Sequence, residues 1–380
     1  MIPAQDFRAP VLDLDGVLAA LGIAAGGAET CIPCTVIRGN DGPRWIVPRK
    51  SRLAQTILSE WRPYGAMTRI FWLTVPVADR LGMLPLLPGN ARATLPSDAS
   101  RQFLRHVGVR FDAGPPVILV GNNAITRKLL VFLEDQNLKR IVLAKVPLTP
   151  LARTSIANEA RVLDGLKGRL HAPRLVCSSP EAGVTMQEYL PGELGARRMK
   201  PEYVALLLAL AHAGGRVSLR EHGRRLAERL RGCPAYGEHA ERLNAALALL
   251  DDEAEIPTAL VHGDFAPWNI KERPGGACTL IDWEMARHNG LALYDLCHFY
   301  YMQARLFTPD KLFYLDMLKA GAWRSYLGRL DLPASLLKPL AAAFLLETLA
   351  RYWDGSETPA EAFGLRQLDM LLRFDAQPAR

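Results

Sequence analysis

The chain has 380 residues, enough for two domains or one large two-lobed domain, and its 49% apolar and 22% charged residues can form a core without staples. A net charge of +7 gives a mildly positive field, and with no recognition motif for DNA or RNA it does not imply a nucleic-acid partner. Six cysteines in a chain this long make no disulfide framework, which excludes a stapled secreted scaffold and makes a reducing, cytoplasmic setting the expectation.

The N-terminus has no basic segment followed by an apolar run, so no secretory signal is expected. Val11–Leu18 is an apolar run carrying Asp13 and Asp15. It resembles the first motif of haloacid-dehalogenase-type phosphatases, in which the first Asp is the nucleophile. The strand-end Ser or Thr, the lysine and the acidic pair of that family are missing further on, so a surface turn with two solvated carboxylates is expected. Cys31 and Cys34 form a lone C-x-x-C; zinc needs a second pair or histidines at ligand spacing, and neither is near. Thr35–Gly39 and Pro43–Pro48 read as strands joined by a turn over Gly39–Gly42. Ser51–Trp61 has helical periodicity in Leu53, Ile57, Leu58 and Trp61. Arg44, Arg49, Lys50 and Arg52 form a basic cluster suited to an anionic ligand or to solvent. The most apolar stretch, Ile70–Leu87, is interrupted by Pro76, Asp79, Arg80 and Pro85, too broken to span a bilayer. The Pro- and Gly-rich segment Pro85–Pro96 looks like a boundary, so residues 1–105 read as an accessory α/β region whose role the sequence does not state.

Val117–Gly121 and Leu129–Leu133 read as strands flanking a turn, Gly121–Lys128, that holds a single glycine and Asn122. Arg140–Val146 is a buried strand near whose end Lys145 stands, and an interior ammonium is costly unless paired. Its obvious partner is Glu159, on a helical pattern that places it on the face of Ile156, Ala160 and Leu163. Pro173–Cys177 and Val184–Leu190 read as two further strands, with Gln187 and Tyr189 near the end of the second and Pro191-Gly192 stopping it.

From Pro201 the pattern turns helical: Tyr203–Ala213 is apolar throughout, Arg216–Arg231 is rich in arginine, and Leu243–Leu250 continues the helical character. The arginines suit a solvated face, an acidic acceptor or lipid headgroups. Next come two short buried strands, Leu260-Val261 and Thr279–Ile281, separated by a turn over Lys271–Gly276 and expected to pair as a hairpin. Each delivers polar groups where its apolar run stops: Asp264 and Asn269 after the first, Asp282 after the second. Two carboxylates and an amide gathered at one sheet end suit Mg²⁺, a hard cation taking oxygen ligands and substrate phosphates. His262 reads as a buried packing residue bracing the loop, and Asp295 as a helix N-cap giving structural support. Helices over Leu312–Tyr326, Leu336–Trp353 and Ala360–Phe374 complete the chain.

His262-Gly263-Asp264 through Asn269, followed by Ile281-Asp282-Trp283-Glu284, resembles the aminoglycoside phosphotransferase and choline kinase group of small-molecule kinases. The resemblance spans roughly Gly114 to the C-terminus. It implies an α+β, two-lobed protein-kinase-like fold: an antiparallel-sheet N-lobe over 106–191 and a helical C-lobe with the catalytic loop over 192–380. It further implies ATP and Mg²⁺ as cofactors, with the γ-phosphate passing to a hydroxyl of a small molecule. In that scheme Lys145, oriented by Glu159, holds the α- and β-phosphates, and the turn at Gly121 and Asn122 covers the phosphates with backbone N–H groups. Adenine meets backbone near Gln187 and Tyr189. Asn269 and Asp282 carry the metal, and Asp264 orients and deprotonates the acceptor. Asp282-Trp283-Glu284 replaces the usual Asp-Phe-Gly, and the phosphate turn is poor in glycine. Sugars, aminoglycosides, amino alcohols and glycan intermediates all fit as acceptors, and the N-terminal extension and basic helix favour an anionic carbohydrate. Two other readings are a non-catalytic nucleotide-binding scaffold on the same fold and a phosphatase built on Asp13 and Asp15.

Overall fold

The structure is a computed structural model and describes residues 12–24, 30–39, 41–61, 66–122, 124–169, 172–211, 215–273, 276–355 and 360–374. Val11, Asn40, Asn123, His212, Ala213, Pro274 and Gly275, which fall in expected elements or turns, lie outside these residues. The chain forms two compact units, Met1–Glu193 and Leu194–Arg380, and passes from one to the other at the two-residue strand numbered β9 below.

The first unit begins with α1 (Leu14–Ala20), whose N-cap is Asp13; its carboxylate accepts from the Gly16 amide at 2.8 Å, and Asp15 sits in the first turn. The expected surface turn is therefore a capped helix, because a carboxylate at that position satisfies an otherwise orphan amide. It offers no strand-end nucleophile. Then follow β1 (Cys31–Gly39), β2 (Gly42–Pro48), α2 (Arg52–Glu60), α3 (Ala66–Arg80), β3 (Ala91–Pro96) and α4 (Ala99–Val107). The unit continues with β4 (Val117–Val120), β5 (Lys128–Asp135), β6 (Arg140–Pro147), α5 (Pro150–Leu166), β7 (Leu175–Ser179) and β8 (Val184–Glu188). β9 is Glu193–Leu194.

β1 to β8 form one eight-stranded sheet in the order β3-β1-β2-β4-β5-β6-β8-β7, with antiparallel pairings. Trp45 and Ile46 of β2 pair with Leu119 and Ile118 of β4, so no break in the sheet falls near residue 105. Alternation of side chains sends Ile118, Val120, Val131 and Ala144 to one face, packed with α1 and α4. Val117, Leu119 and Phe132 go to the other, where Trp45, α2 and α3 cover them. Both faces are dry, which is why β4 is buried at every residue. Cys31 is exposed and Cys34 buried, three residues apart on β1; they stand on opposite faces, and burial pushes the Cys34 thiol up to about 12.

The second unit contains α6 (Pro201–Ala211), β10 (Arg216–Ser218), α7 (Leu219–Arg231), α8 (Tyr236–Ala248), β11 (Glu255–Val261), β12 (Ile270–Glu272), β13 (Cys278–Leu280) and β14 (Arg287–Leu291). α9 (Tyr294–Phe307), α10 (Phe313–Ala320), α11 (Ala322–Arg329), α12 (Leu337–Trp353) and α13 (Glu361–Leu372) complete it. The helix expected over Leu312–Tyr326 is two, broken at Gly321, whose φ of 71° lies in the left-handed region that ends helices. α12 is buried on nearly all sides, and apolar residues all round it make it the centre of this unit. Among the described residues no single helix is long and apolar enough to cross a membrane.

The arginines of α7 are met by nearby carboxylates: Arg220 by Asp251 at 2.5 Å and by Glu253, Arg225 by Glu221 at 2.9 Å, and Arg229 by Asp354. That helix is a neutralised surface rather than a bare cationic face. A buried group lies deeper, where Arg287 pairs with Glu347, His222 Nε2 stands 2.9 Å from the same carboxyl, and the Arg287 guanidinium covers the Tyr294 ring at 4.0 Å. Although burial acts to raise it, the cationic Arg287 and its neighbours hold the Glu347 carboxyl down at about 2. This ties β14 to α12.

Candidate active site

The hairpin expected between Leu260-Val261 and Thr279–Ile281 does not form. β11 pairs with β14 on one side and β10 on the other, while β13 pairs with β12 through Ile270↔Leu280, Lys271↔Thr279 and Glu272↔Cys278. The Lys271–Gly276 turn therefore closes a hairpin that begins after Asn269, and the loop 262–269 leaves β11 free of the ladder. That loop is fixed instead by side chains. The Asp295 carboxylate accepts from the His262 amide at 2.7 Å and from the Gly263 amide at 2.9 Å. Asp295 is not the N-cap of α9, a position held by Leu293; it lies in the first turn and spends both oxygens on the neighbouring loop. Burial pushes its carboxyl up to about 6, against the pull of the two amides and of Arg287 and Arg351.

His262 is fully buried and ties two segments together. Its Nδ1 accepts from the Asp264 amide at 3.3 Å, which makes Nε2 the protonated nitrogen, donating to the Ile281 carbonyl at 3.1 Å. The Ile281 amide in turn donates to the Asn269 carbonyl at 2.9 Å. These bonds hold the backbone at Asp264, at Asn269 and just before Asp282 in one knot. Asn269 Nδ2 donates to the Asp264 carboxylate at 2.8 Å and to the Asp264 carbonyl at 2.9 Å. With the amide nitrogen spent in this way, the carbonyl oxygen of the same side chain is the atom a cation can use. Asp282 has φ 67° and ψ 64°, left-handed backbone that a β-carbon disfavours. Strain of this kind collects where a side chain must be aimed.

Gly263 is demanded by the same knot. Its φ is 83°, and a β-carbon there would fall on the Met285 carbonyl. Gly263→Ala is expected to cost at least about 2 kcal/mol, from left-handed backbone and the clash together, and to lower turnover with it. Denaturant unfolding checks this; unchanged stability would mean that the loop is not held against Met285.

In the first unit Lys145 Nζ meets Glu159 Oε2 at 2.7 Å, with side chains 4% and 0% exposed, so the pair expected from the sequence is made and desolvated. Glu159 shares its buried face with Ile156, Ala160 and Leu163. Gly121 and Asn122 lie in the turn between β4 and β5, where the Gly121 amide donates to the Lys128 carbonyl at 2.8 Å. A β-carbon on Gly121 would stand 2.7 Å from that carbonyl, which explains the one glycine that the turn keeps. Gln187 is buried within β8, paired with Leu143 on one side and Leu175 on the other. The Tyr189 amide is already engaged, donating to the Ile141 carbonyl at 2.9 Å, and its hydroxyl donates to Glu60 at 2.6 Å. The Tyr189 backbone donor is thus taken up by the sheet.

Two contacts had no signal in the sequence. Glu60, at the end of α2, reaches Tyr189 across 129 positions of chain. His298 is buried on α9, with Nε2 3.8 Å from Asp264 Oδ1 and Nδ1 3.4 Å from the Phe265 carbonyl. Burial holds its ring down to about 3, so it stands neutral beside the carboxylate. The spacing of three from Asp295, which braces the same loop, puts both side chains on one helix face, and only the fold shows what that face meets.

A model of the phosphotransferase enzyme family (APH) matches residues 126–332, more than half of the chain. No curated protein matches it. Among solved structures the chain is similar to aminoglycoside phosphotransferase APH(4)-Ia, at 14% identity over 73% of this chain and 99% of that one, with a TM-score of 0.50. It is also similar to macrolide 2'-phosphotransferase MphH from Brachybacterium faecium, at 17% identity over 73% and 97% of the two chains, with a TM-score of 0.47. Choline kinase LicA from Streptococcus pneumoniae matches at 16% identity over 64% and 88%, with a TM-score of 0.42. The likeness to APH(4)-Ia is one of fold: an antiparallel-sheet N-terminal lobe followed by a helical region.

Proposed function

The chain belongs to the phosphotransferase enzyme family, and from that premise we propose that it is a small-molecule kinase moving the γ-phosphate of ATP to an acceptor hydroxyl with Mg²⁺. The observation that carries the reading is the bonding of Asn269: its amide nitrogen is committed to the Asp264 carboxylate and carbonyl, which leaves the side-chain oxygen as its cation donor, and its backbone carbonyl accepts from the Ile281 amide, one residue before Asp282. An amide oxygen and a carboxylate are hard donors, and the set fits Mg²⁺, with Asn269 and Asp282 as the residues that would hold it. When bound, the ion would supply charge neutralisation to the triphosphate.

The protein's own part in the reaction is positioning. Asp264, 31% exposed and held on one oxygen by Asn269, orients the acceptor hydroxyl and takes its proton. Lys145, paired with Glu159 at 2.7 Å, is the cation for the α- and β-phosphates. Since the Gly121 amide is held by the Lys128 carbonyl, the backbone group this turn would offer the phosphates is that of Asn122. A loose transition state needs little more from the protein than placement and countercharge.

The test is incubation with ATP, Mg²⁺ and a pooled library of sugars, aminoglycosides and amino alcohols, read as products heavier by one phosphoryl group. One acceptor class is expected to gain the mass; no product and no ATP consumption would point to a non-catalytic binder. Asp282→Ala is expected to lower Mg²⁺-dependent nucleotide affinity by roughly a hundredfold while leaving the Mg²⁺-free affinity unchanged, as followed by titration calorimetry. Equal losses with and without Mg²⁺ would remove Asp282 from the metal site.

A further inference from the structure

Of the exposed large apolar side chains among the described residues, all but Leu138 and Leu306 lie between Ile70 and Leu86. Ile70, Leu73 and Val77, on α3, and Leu81, just beyond it, are 62%, 64%, 54% and 68% exposed. Their spacing of three, four and four residues sets them along one helix face, and Met83 and Leu86, in the turn that follows, are also exposed. The helix is not loosely placed. Its opposite face buries Trp72, Val75 and Ala78 against Leu53, Ile57 and Leu58 of α2, and Trp72 Nε1 donates to the Leu58 carbonyl at 3.1 Å. A helix anchored by its buried face and carrying a stripe of large apolar side chains on the other holds that stripe out to a non-aqueous partner.

Charge says which partner. Residues 30–96 hold nine Lys or Arg against three Asp or Glu, so nearly all of the chain's net +7 sits in this segment. One of the three acids, Asp79, is buried, and burial raises its carboxyl above the ordinary range. Arg49, Lys50, Arg52 and Arg80 are exposed, and the Arg49 guanidinium lies beside Gly82, just past the end of α3. A second copy of the chain would bring this excess against itself, whereas an anionic bilayer attracts it.

We infer that the exposed face of α3 and the neighbouring Arg49, Lys50, Arg52 and Arg80 dock the protein on the surface of a bilayer containing anionic lipid, with Ile70, Leu73, Val77 and Leu81 entering the headgroup boundary and the basic residues meeting lipid phosphates. The helix lies in the interface and does not cross it. Phosphoryl transfer plays no part in this contact, which stands whether or not the acceptor is found.

Flotation of the full chain with vesicles tests it without nucleotide. The protein is expected to float with phosphatidylglycerol–phosphatidylcholine vesicles and not with phosphatidylcholine alone, and high salt is expected to weaken the binding. Leu73→Glu with Val77→Glu is expected to lower partition by at least about tenfold. Arg49→Glu with Lys50→Glu lowers it similarly, at roughly fivefold or more per charge reversed. All four positions are exposed, and an unchanged thermal transition confirms that the variants fold. Failure of the wild-type chain to float, or equal flotation of the variants, overturns the inference. So does a wild-type dimer in sedimentation that Leu73→Glu dissociates, since the face would then belong to a second copy.

Discussion

Replacing Asp264 by alanine is expected to lower turnover by about three to four orders of magnitude while nucleotide affinity stays near that of the wild type. The split follows from the hydrogen bonds of Asn269. Its amide nitrogen loses the Asp264 carboxylate at 2.8 Å but keeps the Asp264 carbonyl at 2.9 Å, so the oxygen proposed for the metal stays aimed. The loop itself is held from elsewhere, by Asp295 on the amides of His262 and Gly263. Asp264→Asn sharpens the test: it is nearly isosteric and can still accept from Asn269, yet it cannot take a proton. Equal loss in both variants assigns proton transfer to the carboxylate, whereas activity retained in Asp264→Asn would assign it a merely geometric part. Wild-type turnover in Asp264→Ala would remove the proposed base altogether. Steady-state rates with an identified acceptor, beside calorimetry with nucleotide, make the comparison.

The second large effect lies in the other unit. Lys145→Met leaves Glu159 in a site where the carboxyl has no exposure, and breaking a buried pair by removing one partner costs about 3–5 kcal/mol. The double variant Lys145→Met with Glu159→Leu is expected to regain most of that stability, because an apolar pair of similar volume avoids the desolvation cost. It is not expected to regain nucleotide affinity, since the ammonium is gone. Stability and binding thus separate in one series, followed by denaturant unfolding and by calorimetry. A single variant as stable as the wild type would mean that the pair is hydrated, and a double variant that binds nucleotide normally would free Lys145 from the phosphates.

His298 carries a related consequence. Its ring is neutral and 3.8 Å from Asp264, so it shapes the surroundings of the proposed base without adding charge to them. Arg287, Glu347 and Asp295 form the frame behind it, linking β14, α12 and the loop. The polar residues of this unit accordingly fall into those proposed to face the reaction and those that hold the loop for them.

Local pattern was enough to single out Asp264, Asn269 and Asp282 as the residues proposed for the reaction, because each follows a short apolar strand or loop. It was enough, too, for Lys145 and Glu159: an ammonium inside a buried strand requires a partner, and the next helix offers one carboxylate on its inward face. Most strands and helices were legible for the same reason, since periodicity reports which side of an element is dry. Periodicity does not report what lies across from that side. β11 and β13 are near in sequence and both apolar, yet β11 bonds to β14 and β13 to β12, a choice made by backbone groups that every residue carries alike. Asp295 reads as a cap from its neighbours and serves another loop because the fold brings two amides to it. Residues 31–96 gave no hint that their strands extend the sheet of β4 to β8, or that α2 ends on Tyr189. Sequence by itself determined the family and the pairing of Lys145 with Glu159; tertiary structure alone decided strand partners, the braces of the loop and the exposed face of α3, because those depend on contacts between positions far apart in the chain.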